Sequence, residues 1–316
     1  MSDFEQNLAK SFQFRNTSAC AEKLSGKTNV QRLCAGLSDG IPGVIIDQLG
    51  ALVVVQDYVA HKTPEAWNLL LKALLPDHQH WIKVRDSKGP FTYIGPENIE
   101  FIAEESGDQF LVKPTQMHDL GLFVDTKSAR NWVRNQAKGK NILNLFAYTC
   151  AFAIAAKTHG AQQVTNIDPC EEYGIWGKRN GELNHVEFKF FADTTQKYMP
   201  RHLRRLERQS EAPYDLIITD PPAFLVGRGD DRLGRKIWPS MLSQMVQSQA
   251  PQLLLICNDR SFRSTRSWAE FLDEHLNGAY DLTPLPQSPD VLGQSPKTAY
   301  QDPHYSPPLI SIAAKR

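Results

Sequence analysis

Tyr214-Asp-Leu-Ile-Ile-Thr-Asp-Pro-Pro-Ala-Phe224 reads as a strand buried on both faces that stops abruptly at an acid, two prolines and an aromatic. Leu216, Ile217 and Ile218 form the short apolar run expected of a parallel strand covered by helices on either side. In open α/β sheets ligands bind just beyond the carboxyl ends of such strands, where Asp220 to Phe224 would lie. Paired prolines neither extend a ladder nor enter a helix interior, so they hold the backbone extended with its carbonyls turned outward. Phe224 can then offer a flat face to a planar substrate. A strand stop with a chance Pro-Pro turn would use the same residues, so the reading depends on what surrounds it.

Around this stretch, strands and helices alternate. Helices are expected over 126–135, 152–159, 171–184, 240–250 and 265–276, and strands over 142–146, 163–168, 187–191, 214–219, 252–257 and 309–314. That rhythm implies parallel crossover units and a doubly wound, Rossmann-like α/β sheet. Gly174, Gly177 and Gly181 fall on one side of the 171–184 helix and would let it approach the sheet closely. Upstream, short strands at 32–33, 43–47, 51–58, 81–85, 99–104 and 109–113 with one helix at 63–75 make a small N-terminal α+β domain. The expected division is an N-terminal extension over 1–30, the accessory domain over 31–114 and the doubly wound domain over 115–316.

The chain has 316 residues, 41% hydrophobic and 22% charged, an ordinary globular balance. No apolar run approaches the length of a membrane span, and MSDFEQNLAK lacks the basic-then-apolar order of a secretory signal, so the expectation is a cytoplasmic protein with no membrane partner. Cys20, Cys34, Cys150, Cys170 and Cys257 are scattered without CxxC spacing; free thiols and no metal are expected. Thirty-five basic residues balance thirty-five acidic ones, which argues against a protein that coats nucleic acid non-specifically but leaves room for local basic faces. Arg201, Arg204, Arg205 and Arg208 form one such cluster, which a solvated helix face explains equally well. The oligomeric state is left open.

In a doubly wound fold the first strand-to-helix turn receives the cofactor, and here it is Asn144-Leu-Phe-Ala-Tyr-Thr-Cys150. It lacks the glycines that a pyrophosphate needs, which disfavours a nicotinamide dehydrogenase. Asp168 closes the next strand, where an acid can accept from ribose hydroxyls, and Asp193 follows the third strand within reach of an adenine amino group. With Asp220, three successive strand ends carry an acid. Any one of them alone is best read as a turn residue. Together they suit a cationic sulfonium nucleoside better than a dinucleotide.

Asp-Pro-Pro with a following aromatic resembles the base pocket of S-adenosylmethionine-dependent amino methyltransferases, with Ala223 intervening here. More broadly, LSDGIPGVIID (37–47), VVVQDY (53–58), HDLGLFVDTKSAR (118–130), NLFAYTC (144–150), VTNID (164–168), KRNGELN (178–184), YDLIITDPPAF (214–224) and LLLICNDRSFR (253–263) appear in this order. In that set the chain resembles the bacterial 23S ribosomal RNA base methyltransferase family, in its RlmI-like and RlmK-domain-like branches. The resemblance implies a class I methyltransferase using S-adenosyl-L-methionine, with RNA, here large-subunit rRNA, as partner. It implies a donor pocket of Phe123, Asp125, Asn144, Phe146, Tyr148, Thr149, Asp168, Asp193 and Asp220. It implies a base pocket of Asp220, Pro221 and Phe224, with Asn258, Arg260 and Arg263 toward the substrate. Cys150 departs from the glycine usual at that turn. RlmI-like members also begin with a PUA RNA-binding domain, for which residues 1–30 are expected to be too short.

Cytosine C5 becomes nucleophilic only after a thiolate adds to the ring, whereas a guanine nitrogen already carries a lone pair. Asp259 occupies the position of the C5 enzymes' cysteine; Cys257, two residues earlier, reads as a small buried hydrophobe. A guanine nitrogen is therefore the expected target. The alternatives are C5 chemistry through Cys257 and an RNA-binding protein that has lost catalysis at the Cys150 turn.

Overall fold

The computed structural model describes residues 2–16, 28–85, 90–97, 99–114, 120–222, 233–262 and 264–316, with backbone alone for 233–235. The chain divides into two compact units, Met1–Lys127 with Gln287–Pro307, and Ser128–Pro286 with Pro308–Arg316.

The first unit opens with helix α1 (Asp3–Arg15), started by a capping box in which the Ser2 hydroxyl accepts from Glu5 N–H and the Glu5 carboxylate accepts from Ser2 N–H. Strands β1 (Val30–Ala35), β2 (Val44–Leu49) and β3 (Leu52–Asp57) form an antiparallel meander. Helix α2 (Pro64–Leu74), capped by Thr63, then carries the chain to β4 (Gln79–Val84), parallel to β3, and β5 (Thr92–Ile94) closes the edge. Val53, Val55, Ile82 and Val84 alternate onto one face and pack with Leu8, Trp67 and Leu71. Burial stabilises the fold by about 1.5 to 3 kcal/mol for each large apolar side chain of this cluster removed from water. A separate hairpin joins β6 (Phe101–Glu105) to β7 (Asp108–Val112).

Segment 287–307 returns to this unit through buried charge. Asp290 accepts from Lys127 Nζ at 3.0 Å and from Arg32 N–H at 3.1 Å, while Arg15 pairs with Asp39 at 2.7 Å with both side chains fully buried. Arg32 makes a two-pronged pair with Asp47 at 2.8 and 3.0 Å and lies over the Tyr305 ring at 4.5 Å. Removing one partner of such a buried pair costs about 3 to 5 kcal/mol, because the other charge is stranded.

The second unit runs α3 (Lys127–Gln136), β8 (Asn141–Leu145), α4 (Ala151–Lys157), β9 (Gln163–Asp168), α5 (Glu171–Leu183), β10 (Lys189–Ala192), α6 (Thr195–Glu207), β11 (Leu216–Thr219), α7 (Leu233–Ser248), β12 (Gln252–Cys257), α8 (Thr265–Leu276), β13 (Tyr280–Pro284) and β14 (Leu309–Lys315). Among the described residues the strand order is β10-β9-β8-β11-β12-β14-β13; the first five pair in parallel, and β14 is antiparallel to both of its neighbours, β12 and β13. This is the expected Rossmann-like, doubly wound sheet. The chain runs outward from β8 through β9 to β10, then returns to place β11 beside β8. The switch point, where such folds open a crevice, therefore lies between the carboxyl ends of β8 and β11.

Several elements differ from the sequence expectation. Tyr214 and Asp215 stand before the β11 ladder, with Asp215 tied to Asn141 by its N–H and its carboxylate, both at 2.8 Å. Helix α7 begins at Leu233 rather than 240 and contains Pro239, a residue that argues against helix when read locally. Helix α6 contains Pro200 and covers the segment where the arginine spacing allows a solvated helix face, while strands β5 and β13 have no separate local signal. The four described cysteines are free thiols, as expected; Cys20 lies outside the described residues. Among the described residues no helix is long and apolar enough to cross a membrane.

Candidate functional site

Register aligns the strand ends. Leu145 of β8 pairs with Ile167 of β9 and with Thr219 of β11, Thr219 pairs with Leu255 of β12, and Ala192 of β10 pairs with Asp168. Phe146, Asp168, Asp193 and Asp220 therefore stand along one edge of the sheet, flanking the switch point.

Asp168 holds this edge together. Its two carboxylate oxygens accept from Tyr148 N–H at 2.9 Å and Cys170 N–H at 3.0 Å, and its backbone carbonyl accepts from Asp193 N–H at 3.0 Å. Hydrogen bonds from backbone N–H to a carboxylate are charge-assisted and about twice as strong as neutral ones. They steady a turn that needs it, because Phe146, Tyr148 and Cys150 all have positive φ, at 57°, 48° and 64°. A non-glycine residue in that region is held by its surroundings, and such residues gather at ligand sites. Thr149, fully buried, accepts from Asn180 of α5 through its carbonyl at 3.0 Å, and Tyr148 packs edge-on against Tyr173 with centroids 4.6 Å apart.

Cys150, where glycine is usual, sits in the left-handed conformation (φ 64°, ψ 28°) at the start of α4. Burial first, and then the nearby Asp168 carboxylate, push its thiol well above the ordinary range. Gly174 and Gly177 show the expected close approach: an added Cβ would lie 2.4 Å from the Phe190 ring and 2.6 Å from Cys150 Sγ.

Other expected donor residues fall in distinct settings. Asn144 is 1% exposed, inside β8, where its amide donates to Asn166 Oδ1 at 2.8 Å and its own Oδ1 is buried with no hydrogen-bond partner among the described residues. Asp193, just before α6, accepts from Thr194 N–H at 2.9 Å and is ion-paired with Arg201. Phe123 and Asp125 belong to the first unit; Phe123 is about half exposed, and Asp125 accepts from Tyr305 Oη at 3.2 Å with Arg32 at 4.0 Å. In the expected arginine cluster, Arg205 pairs with Glu211 at 2.8 Å, while Arg204 and Arg208 lie exposed on the surface.

At the end of β11, the side-chain amide of Asn258 donates to Asp220 Oδ1 at 2.7 Å and to the Pro221 carbonyl at 3.1 Å. Both acceptors of the acid-proline turn are thus oriented from the end of the neighbouring strand β12. That bridge between two motifs is invisible to a local reading, which sent Asn258 toward the substrate. Pro221 is buried and Pro222 exposed; Arg260 is exposed; Phe224 and Arg263 lie outside the described residues. Cys257 is 2% exposed, and burial, with Asp259 and Asp220 adding to it, raises its thiol to about 12. Cys257→Ser should accordingly leave turnover at wild-type level. A covalent adduct with a fluorinated cytosine in RNA, trapped at Cys257, would contradict this.

The residues fit a sulfonium nucleoside: acids line the edge, and the turn after β8 offers none of the glycines that a pyrophosphate requires. A model of the S-adenosylmethionine-dependent methyltransferase family matches residues 79–259. The chain belongs to that family. It is 37% identical over 238 residues to the Ribosomal RNA large subunit methyltransferase K/L of Shewanella frigidimarina, covering 70% of this chain and 33% of that one. It is 31% identical over 236 residues to the Ribosomal RNA large subunit methyltransferase I of Cronobacter sakazakii, covering 70% and 57%. The chain spans about a third and somewhat over half of the length of these curated relatives. A solved structure described as a SAM-dependent methyltransferase from Streptococcus mutans shares the fold, with a TM-score of 0.78 at 22% identity over 98% of this chain and 81% of that one.

Proposed function

We propose that this methyltransferase-family chain transfers a methyl group from S-adenosylmethionine to a base of large-subunit ribosomal RNA, at a guanine nitrogen. The relatives' names support the RNA class. The placement of Cys257 carries the choice of atom: it closes β12, 2% exposed, and burial raises its thiol, which favours a target that brings its own lone pair.

The donor, when bound, supplies an electrophilic methyl on sulfur; everything else is positioning. Asp168, Asp193, Asp220 and the 146–150 turn hold its nucleoside end, with Phe123 and Asp125 assigned to the same pocket by resemblance. Asp220, Pro221 and Phe224 hold the base, and Asn258 orients the first two of these. Arg260 and Arg263 contact the RNA backbone. Alignment of the lone pair with the methyl and exclusion of water supply most of the rate. A base in a stack must first be flipped out.

Incubating the protein with large-subunit rRNA and a methyl-labelled donor, then digesting to nucleosides, tests the reading. Label is expected in a methylated guanosine. Label in 5-methylcytidine would replace the guanine assignment with C5 chemistry, and donor binding without transfer to any RNA would favour a degenerate RNA-binding protein.

A further inference from the structure

The first unit carries a second feature, away from its own core. Along β4, His80, Ile82 and Val84 alternate with Trp81, Lys83 and Arg85. Ile82 and Val84 join the cluster with Trp67 and Leu71, so Trp81, Lys83 and Arg85 belong to the opposite face of the sheet. Register adds Tyr93, opposite Lys83 on β5, and Gln56, opposite Lys83 on β3, with Tyr58 just beyond. On this face four rings run in a chain. Trp81 stacks on Tyr93 with centroids 5.6 Å apart, Tyr93 neighbours Phe91 at 6.2 Å, and Phe91 meets Tyr58 edge-on at 5.8 Å.

Cations are threaded through the rings. Lys83 Nζ lies 4.6 Å from the Phe91 centroid and 5.9 Å from that of Tyr93; the Arg85 guanidinium lies 4.9 Å from Phe91 and 5.6 Å from Tyr58. Trp81 and Lys83 are buried beneath, whereas Tyr58, Arg85, Phe91 and Tyr93 keep accessible surface and Thr92 is exposed. Arg85 Nε is buried with no hydrogen-bond partner among the described residues. An apolar core has no use for two cations among its rings, and a merely solvated face has no use for the rings. Aromatic faces interleaved with cations match unpaired nucleotides, whose bases stack while their phosphates take the positive charge.

We propose that Tyr58, Arg85, Phe91 and Tyr93 form a stacking surface for single-stranded RNA on the accessory unit. The proposal rests on the RNA reading above and adds where a flanking unpaired stretch is gripped. Burial and then the neighbouring Glu97 carboxylate raise the Tyr93 phenol. That negative charge disfavours a phosphate near Tyr93, so the backbone runs along the Arg85 side and the bases lie on the rings.

The test uses the full chain, a fluorescein-labelled oligouridylate and fluorescence anisotropy. Phe91→Leu and Tyr93→Leu, which keep apolar bulk, should each weaken binding roughly tenfold, and Phe91→Trp should retain it. Arg85→Gln should lower the salt slope by about 0.7, the loss of one single-strand phosphate contact. Affinity for S-adenosylhomocysteine should be unchanged in all four. Wild-type RNA affinity in both leucine variants, or competition by duplex RNA as strong as by the single strand, overturns the surface. A wild type that methylates rRNA yet ignores the oligouridylate overturns the surface alone. A wild type that binds oligouridylate through these rings but transfers no methyl keeps the surface and overturns the preceding reading.

Discussion

Replacing Asp168 with alanine is expected to lower donor affinity by about two orders of magnitude or more, the largest single-site effect on binding in this chain. In the proposed pocket the acid does more than face the ribose: loss of a hydrogen bond to a charged group costs about 1.5 to 3 kcal/mol, roughly ten- to a hundredfold in affinity, and the same two oxygens also accept from Tyr148 and Cys170 N–H. Without it, a turn with positive φ at Phe146, Tyr148 and Cys150 loses the group that over-determines its backbone. Asp168→Asn separates the two roles. The amide keeps one oxygen acceptor and nearly the same volume, so it should hold the turn in part and lose the charge. Calorimetry with S-adenosylhomocysteine should therefore rank wild type, Asn, then Ala. Equal affinity of wild type and the alanine variant would remove Asp168 from the donor site.

The sheet was legible because buried parallel strands are short apolar runs, and β9, β12 and α8 begin and end where the spacing puts them. The acids at the strand ends were legible for the same reason: a strand's last residue is fixed once its apolar run is fixed. What local pattern could not supply was anything made by two segments far apart in the chain. The donation from Asn258 to Asp220 and Pro221 joins positions 38 and 37 residues apart. The hydrogen bonds from Arg32 of β1 and Arg15 of α1 to Asp290, which bring 287–307 back to the first unit, span 258 and 275 residues, and polar residues read one at a time look like surface. The aromatic and cationic face of the accessory unit was hidden by its own alternation. Trp81, Lys83 and Arg85 meet Tyr93 and Tyr58 only through ladder register, which a sequence does not display. Prolines misled in the other direction: α6 and α7 carry Pro200 and Pro239 within their length, and tertiary packing overrode the local penalty.

Gly177→Ala should destabilise the methyltransferase unit by about 1 to 3 kcal/mol, the usual cost of forcing extra volume into a filled space. A Cβ at position 177 would lie 2.6 Å from Cys150 Sγ, 3.0 Å from Cys150 Cβ and 3.3 Å from the Thr149 carbonyl. The thiol has little freedom to yield, because Cys150 is fully buried and its backbone is held in the left-handed region. The sequence thus pairs two departures from the commonest choices: a side chain where the turn would accept glycine, and a glycine on the helix that faces it. Cys150→Gly tests the pairing. Glycine adopts φ near 64° without steric cost, and its loss of the thiol and Cβ removes the two atoms nearest a Cβ at 177, at 2.6 and 3.0 Å, with the Thr149 carbonyl next at 3.3 Å. In the Cys150→Gly background the penalty for Gly177→Ala should therefore shrink, giving a coupling of about 0.5 to 3 kcal/mol in a urea-unfolding double-mutant cycle. Donor affinity should follow, falling in Gly177→Ala, where the 146–150 turn is pushed outward, and recovering in the double variant. Additive effects of the two substitutions would show that the thiol and the glycine do not share this space.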